Sequence, residues 1–355
     1  MSEEPQAPLA RRPDLPEVER YMDVTEAHLN HIAGKIREPV SENLNALKRL
    51  FTSAGMTAYF IKTKNGHEIT YGYAPHLKPP RRWINLVLFL ATIVTTLLVG
   101  AFQMRHNPLS NPLELVYGIP FSLSILLILG SHELGHYFAA RRLGVDATLP
   151  YFLPVPHPMT GTMGAFIKIR SPVPTKSALV RVGVSGPLIG FIVAIPVTII
   201  GLAMSGTGVV AEAGGIQLGS SLIFRLLSYL RFGSLPEGID VILHPVAFAG
   251  WLGFFVTALN LLPVGQLDGG HVAYAVFGRF CKPFNLAVLG VMVLMGFFWA
   301  GWPFWAVLIL ILGLRHPRPL DDITVLSRTD KILAVAGLVV LILTFIPAPF
   351  GAGRL

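Results

Sequence analysis

Long apolar runs separated by short polar segments dominate the chain beyond residue 80. The first run, residues 83–102, contains about 20 residues without a charged side chain, enough to cross the ~30 Å hydrocarbon core of a bilayer. We predict an all-α polytopic membrane protein with about seven transmembrane spans, or six if the two runs flanking Gly301-Trp302 form one broken helix. The predicted spans are 83–102, 115–140, 178–204, 244–262, 286–300, 303–314 and 332–346.

A different pattern precedes the first apolar run. The stretch from Ser41 to Gly55 places its leucines and Phe51 on one face of a helix. Two runs rich in β-branched and aromatic residues, 57–63 and 68–73, flank Asn65-Gly66, which is a strong tight-turn signal. The pattern predicts a small cytosolic α+β domain over residues 16–78, with a loosely ordered extension as the alternative. Residues 1–15 are polar and proline-rich, so we predict a disordered tail there.

Composition supports a membrane environment. Of the 355 residues, 52% are hydrophobic and 14% are charged, whereas an average soluble domain has about 25% charged residues. The formal net charge is +8, but the basic residues are scattered beside apolar runs and form no stripe with interleaved aromatics. We therefore expect a lipid bilayer as a partner and no nucleic acid.

The basic residues also indicate orientation. They cluster near alternate ends of the predicted spans, as in Arg81-Arg82 and Arg141-Arg142, and cytoplasmic loops carry such an excess. The N-terminal segment contains acids and prolines where a signal peptide needs a basic start and an apolar run. We expect a multi-pass protein of the cytoplasmic membrane with a cytosolic N-terminus.

Cysteine usage limits the chemistry. Cys281 is the single cysteine of the chain, so an intrachain disulfide and a CxxC metal site are excluded. A zinc ion would need histidine and carboxylate ligands.

The predicted second span contains the sequence Ser131-His132-Glu133-Leu134-Gly135-His136. On a helix, His132 and His136 lie one turn apart on the same face and can reach one metal ion. Glu133 can then approach a water on that metal as general base. Ionisable groups inside an apolar span are costly and usually mark a functional site, although a hydrogen-bonded packing cluster is the alternative.

A catalytic zinc ion usually needs a third protein ligand. Asp268 follows the fourth predicted span, in a segment where Pro263, Gly265, Gly269 and Gly270 would break the helix and allow close backbone approach. Asp268 is therefore the main candidate, and a loop acid or helix cap is the alternative interpretation.

Together these motifs resemble the site-2 protease family of intramembrane zinc metalloproteases. The resemblance rests on His132 to His136 and on the segment from Asn260-x-x-Pro263 to Leu267-Asp268-Gly269. It implies that His132, His136 and Asp268 bind one Zn²⁺ and that Asn260 positions substrate or stabilises an oxyanion. It covers residues 83–346, which we predict as the protease domain, followed by a tail at 347–355.

No insertion long enough for a PDZ domain separates the motif spans. The chain therefore looks most like the branch without a PDZ domain, which includes plant plastid proteins deficient in gravitropism and chlorophyll and their bacterial relatives.

A glycine-containing segment, 160–174, resembles the re-entrant β-hairpin element of this family. An extended edge there could bind an unwound substrate by strand addition, which makes Gly164, Ala165 and Phe166 candidate substrate-binding residues. An interfacial hairpin without a substrate role is the alternative. The segment from Gly186 to Gly190 likewise resembles the family's Gly-Pro element near the site, with helix packing as the competing explanation.

The expected function is regulated intramembrane proteolysis of transmembrane substrates by zinc-activated water. Glu133 would act as general base, and the N-terminal domain would bind a regulatory partner. Three alternatives stay open: a membrane metal transporter, a catalytically silent scaffold, and a prenyl-protein protease. The last would need a glutamate as third ligand, and no convincing one is found.

Overall fold

A computed structural model describes residues 13–73, 79–209, 217–314 and 316–351 of the chain. The outer parts of the two predicted tails, 1–12 and 352–355, lie outside these residues. The chain divides into two compact units. Unit 1 comprises Met1–Pro79 together with Ser171–Ala178 and Pro317–Leu326, and unit 2 comprises Pro80–Arg170, Leu179–His316 and Ser327–Leu355.

Unit 1 is built on an antiparallel sheet with the strand order β1-β2-β4-β3. Helix α2 packs on this sheet because Leu44, Leu47 and Phe51, which lie on one face, are buried. The elements are α1 (Leu15–Glu19), β1 (Met22–His28), β2 (His31–Ile36), α2 (Val40–Ser53), β3 (Met56–Lys62) and β4 (His67–Tyr73).

The helix and hairpin expected in this region are present. Strands β3 and β4 pair from Met56↔Tyr73 to Lys62↔His67 around the Asn65-Gly66 turn. The sequence pattern did not indicate β1 and β2. Strand β1 is exposed at most of its positions, so it lacks the alternation of apolar and polar residues that marks a half-buried strand.

Unit 2 is mainly helical, with two small sheets. Its helices are α3 (Arg82–Gln103), α4 (Ile119–Arg142), α5 (Lys176–Ala203, which begins in unit 1), α6 (Leu222–Phe232), α7 (Pro245–Leu261), α8 (Asp268–Phe277), α9 (Cys281–Leu294), α10 (Gly301–Leu312) and α11 (Arg328–Thr344). Strands β5 (Tyr151–Pro154) and β6 (Thr162–Phe166) form one antiparallel pair, and β7 (Gly206–Val209) and β8 (Ile239–Ile242) form the other.

Three helical stretches among the described residues are long and apolar enough to cross a bilayer. They are Arg82–Gln103, Pro112–Arg142 (a 3₁₀ turn continued by α4) and Lys176–Ala203, and they match the first three predicted spans. The later apolar helices, such as Pro245–Leu261, are shorter. The membrane character is therefore supported, while the count of seven spans stays a prediction.

Two irregular segments interrupt the helices of unit 2. Helix α7 ends at Leu261 and α8 begins at Asp268, so the proline- and glycine-containing stretch between them breaks the helix as expected. The segment from 160 to 174 contributes only one strand, β6, and its partner β5 lies earlier in the chain.

Candidate metal centre

Two helices bring the predicted ligands together. His132 and His136 lie on one face of α4 and are buried, and Asp268 is the first residue of α8. Among the described residues, these three form the group that could hold a metal ion, with one ligand atom from each within 4.8 Å of the others. The helix break before Asp268 allows a residue distant in sequence to face α4.

The distances within this group fit a zinc-sized ion. The Nε2 atoms of His132 and His136 are 3.2 Å apart, and they lie 3.3 Å and 3.1 Å from Oδ2 of Asp268. Tetrahedral ligands at zinc bond lengths of ~2.1 Å are separated by about 3.4 Å. Two imidazoles and a carboxylate also suit zinc chemically.

The tautomer of His136 is fixed by a backbone group. Its Nδ1 lies 2.7 Å from the carbonyl oxygen of Val182 in α5. A carbonyl only accepts hydrogen bonds, so Nδ1 must carry a proton and donate it. The Nε2 lone pair of the neutral ring then points towards His132 and Asp268, which is the arrangement that a metal ligand needs.

Glu133 lies beside the ligands on α4 and is 6% exposed. The backbone of Ile167, immediately after β6, lies close enough to affect the electrostatics of this carboxylate. A carboxylate beside the candidate ligands can accept a proton from a water between itself and the ligand group.

Asn260, near the end of α7, also reaches this centre. Its Nδ2 lies 3.3 Å from Nε2 of His132. An amide that borders the ligand atoms can donate a hydrogen bond to an oxygen that approaches the metal position. The predicted proximity is thus present, whereas its role in the reaction stays a prediction.

Glycines of α5 make room for the histidine rings. A Cβ atom on Gly186 would lie 2.1 Å from Nε2 of His136, and one on Gly190 would lie 3.0 Å from Nδ1 of His132. Pro187 is inside the helix, where a proline lacks the N–H that would bond to a carbonyl one turn earlier. The Gly-Pro segment therefore lies directly against the ligands.

The candidate substrate-binding residues Gly164, Ala165 and Phe166 lie in β6. Ala165 pairs with Phe152, and Phe166 pairs with Tyr151. In the described residues β6 has β5 as its one paired strand, so its second edge has no partner strand. The base of the hairpin is held by Arg170, whose guanidinium lies 3.1 Å from Asp146.

Sequence reasoning missed the backbone group that orients His136, which is the Val182 carbonyl. Every residue carries such a group, so no residue type could have indicated it.

A polytopic helical chain with a two-histidine and one-carboxylate centre defines the class of membrane metallopeptidases. The profile of peptidase family M50 matches residues 120–300, a little over half of the chain. The chain belongs to peptidase family M50, the site-2 protease family, which confirms the resemblance drawn from the motifs.

Its relatives include chloroplast proteins of plants. An Arabidopsis thaliana protein named probable zinc metalloprotease EGY1, chloroplastic, is 30% identical over 295 residues, which cover 74% of this chain and 53% of the relative. Probable zinc metalloprotease EGY2, chloroplastic, of the same plant is 32% identical over 275 residues, or 74% of this chain and 48% of the relative. The chain thus spans about half the length of these relatives. No solved structure matches the chain.

Proposed function

We propose that this chain is a zinc metalloendopeptidase that cleaves transmembrane substrates within or near the bilayer. One observation carries the proposal. A ligand atom of each of the two buried histidines and of Asp268 lies within 4.8 Å of the others, and Glu133 is next to His132 on the apolar helix α4. Membership of family M50 and the names of the plant relatives support zinc as the single metal ion.

Different side chains have different roles in the proposed peptide hydrolysis. His132, His136 and Asp268 hold the zinc ion, which when bound acidifies a water molecule and polarises the scissile carbonyl. Glu133 accepts the proton of the attacking water and delivers it to the leaving amine. Asn260 donates to the oxygen on which negative charge develops.

Substrate recognition is assigned to the free edge of β6. An unwound stretch of a substrate helix adds to this edge and is held by main-chain hydrogen bonds along Gly164, Ala165 and Phe166. The nearness of Ile167, directly after β6, to Glu133 supports this assignment, since a strand added there comes close to the general base.

The proposed setting is a bilayer that the chain crosses about seven times, with unit 1 in the cytosol. The three long apolar helices and the basic residues at alternate predicted ends support this topology. The cytoplasmic membrane is the proposed location, and single-span membrane proteins are the proposed substrates.

The decisive experiment compares wild type with Glu133→Gln, using cleavage of a transmembrane reporter by purified full-length protein in detergent. Zinc content is measured in both proteins. Removing a general base is expected to lower turnover about 100- to 10,000-fold. Because Glu133 is not a ligand, zinc should stay at one ion per chain in both. Glu237→Gln, at an exposed loop position, is the matched control.

The two classes of function give opposite results. A peptidase cleaves as wild type and as Glu237→Gln but stops as Glu133→Gln. A zinc-loaded wild type that leaves several unrelated reporters intact would contradict the proposal and favour metal binding or transport.

A further inference from the structure

The sheet of unit 1 does not end at β3. The backbone N–H of Phe60 in β3 donates to the Leu320 carbonyl at 2.7 Å, and the N–H of Asp322 donates to the Phe60 carbonyl at 2.9 Å. Phe60 and Asp321 form a parallel β-bridge. The segment that leads towards α11 therefore pairs with the outer edge of β3 at one β-bridge.

A second segment pairs with residues 320–322 on their other side. The N–H of Leu320 donates to the Val173 carbonyl at 2.9 Å, and that of Asp321 donates to the Pro174 carbonyl at 3.0 Å. A second parallel bridge joins Asp321 to Thr175. Two segments that are distant in sequence, 173–175 and 320–322, are thus joined by backbone hydrogen bonds and β-bridges to the edge of the N-terminal sheet.

An ion pair between the partly exposed Lys48 and the buried Asp321 stabilises the position of residues 320–322. The Lys48 ammonium of α2 lies 2.6 Å from the Asp321 carboxylate, which is 1% exposed. The amides of Ile323 and Thr324 donate to the same carboxylate. Burial by itself would raise the pKa of Asp321, but Lys48 and Thr324 hold it below its ordinary value. Removing one of these partners would leave the buried carboxylate without a compensating charge or hydrogen bond and would strongly destabilise the folded state.

One of the paired segments lies next in sequence to parts of the proposed peptidase centre. Residue 173 follows β6 by only a short stretch that includes Ile167, which lies near Glu133, and the anchored Arg170. Thr175 directly precedes α5, whose Val182 carbonyl orients His136. Residues 173–175 are therefore continuous in sequence with both the strand proposed to bind substrate and the helix that orients a candidate ligand.

We propose that the N-terminal unit is an intramolecular partner of the peptidase that holds the segment between β6 and α5 by strand addition, and so sets the affinity for substrate. This inference rests on the proposed function. The pairing partners all belong to this chain. The edge of β3 binds residues 320–322, and these in turn bind residues 173–175. Separating these strands leaves the zinc ligands intact but loosens the edge to which a substrate adds.

The test uses Lys48→Ala in the full-length protein, with Lys64→Ala, an exposed turn lysine, as the matched control. Hydrogen exchange is measured in 171–178 and 320–324, together with zinc content, KM and kcat for the reporter. Lys48→Ala should increase exchange in both segments and raise KM about fivefold or more with a smaller change in kcat, because binding of the ground state is weakened. Zinc should stay at one ion per chain.

A backbone variant makes the test independent of the ion pair. Asp322→Pro removes the N–H that donates to Phe60, whereas Asp322→Asn retains it. The proline variant should reproduce the effect of Lys48→Ala, and the asparagine variant should have a smaller one.

Each outcome decides the inference. Increased exchange with an unchanged KM would overturn it, since the paired segments would then have no effect on substrate. Unchanged exchange in both Lys48→Ala and Asp322→Pro would also overturn it, because the contacts would not hold the strands. If wild type fails to cleave, the proposed function fails first, and the exchange data separate the two cases.

Discussion

At the scale of single residues, the centre depends on positions that have no side chain at all. Gly186 and Gly190 let α5 approach the histidine rings more closely than any other residue would allow. The Gly186 position is the more restrictive, since an added Cβ would overlap the ligand atom of His136 itself.

Gly186→Ala tests this approach. Its methyl group would lie 2.1 Å from Nε2 of His136 if nothing moved, so the ring must rotate away from the ligand position. We expect zinc content to fall well below one ion per chain, measured by mass spectrometry of metals after dialysis. Gly290→Ala is the control, because a Cβ there meets nothing within 4 Å. Full zinc occupancy in Gly186→Ala would contradict this account.

A second residue-scale prediction concerns pH and unit 1. Nδ1 of His67 accepts a hydrogen bond from the Ile36 N–H at 3.2 Å, which only the unprotonated atom can do. Burial, and then the charges of Lys62 and Lys35, lower the pKa of His67 below 6.5, against an opposing effect of Glu38. A lowered folded-state pKa contributes stability above pH 6.5 that is lost as pH falls through the folded value.

Protection of the β2 amides from hydrogen exchange, corrected for intrinsic rates, should therefore decrease as the pH falls below 6.5. His67→Asn keeps an acceptor but removes the titration, so its protection should not change over this range. Equal pH dependence in both proteins would refute the assignment to His67.

The candidate ligands were accessible from the sequence for different reasons. His132 and His136 stood out by their spacing inside an apolar run, where ionisable groups are costly. Asp268 was found as an acid close after a predicted span and through the family resemblance, and the structure brings the three together. The groups that orient them, such as the Val182 carbonyl, belong to the backbone and only become special through proximity.

At the scale of elements, β6 depends on an unusual backbone at Gly164. This residue has a φ of +101°, which side chains disfavour, although a Cβ would meet no atom within 4 Å. Gly164→Ala should therefore distort the strand through backbone strain of about 1–3 kcal/mol rather than through a collision. The proposed substrate edge should be weakened while the zinc ligands are untouched.

We expect Gly164→Ala to cleave the transmembrane reporter with a raised KM and with one zinc ion per chain. Gly206→Ala is the matched control, because Gly206 lies in strand β7, has an open environment and has no positive φ. Wild-type kinetics in both variants would argue against substrate binding at β6.

Elements with a clear hydrophobic pattern in the sequence were predicted. Short strands that form only by pairing with a distant strand were not. The long apolar runs and the Asn65-Gly66 hairpin match α3, α4, α5, β3 and β4. Strand β5 reads as a loop because it is only four residues long and pairs across a bulge between Phe152 and Pro154.

At the scale of the whole molecule, the topology can be tested with cysteines. Cys281 is the single native cysteine and is buried, so introduced thiols can be labelled against a low background. Lys64→Cys reports on unit 1, and Glu237→Cys reports on the loop after α6; both positions are exposed. With three spans between them, an impermeant reagent should label only Glu237→Cys in intact cells and both after lysis.

Labelling of both positions in intact cells would contradict the alternation of the first three spans. Labelling of Lys64→Cys alone would reverse the orientation predicted from the basic residues.

The sequence by itself indicated the membrane character, three long apolar helices, a candidate metal-ligand set and the family, because each depends on residue types and local motifs. Only the tertiary structure decided that β5 pairs with β6, that the Val182 carbonyl orients His136, and that residues 173–175 and 320–322 bridge to one another and to β3. These features join segments far apart in the chain through backbone hydrogen bonds. Every residue offers such bonds equally, so their partners are settled by packing of the whole chain.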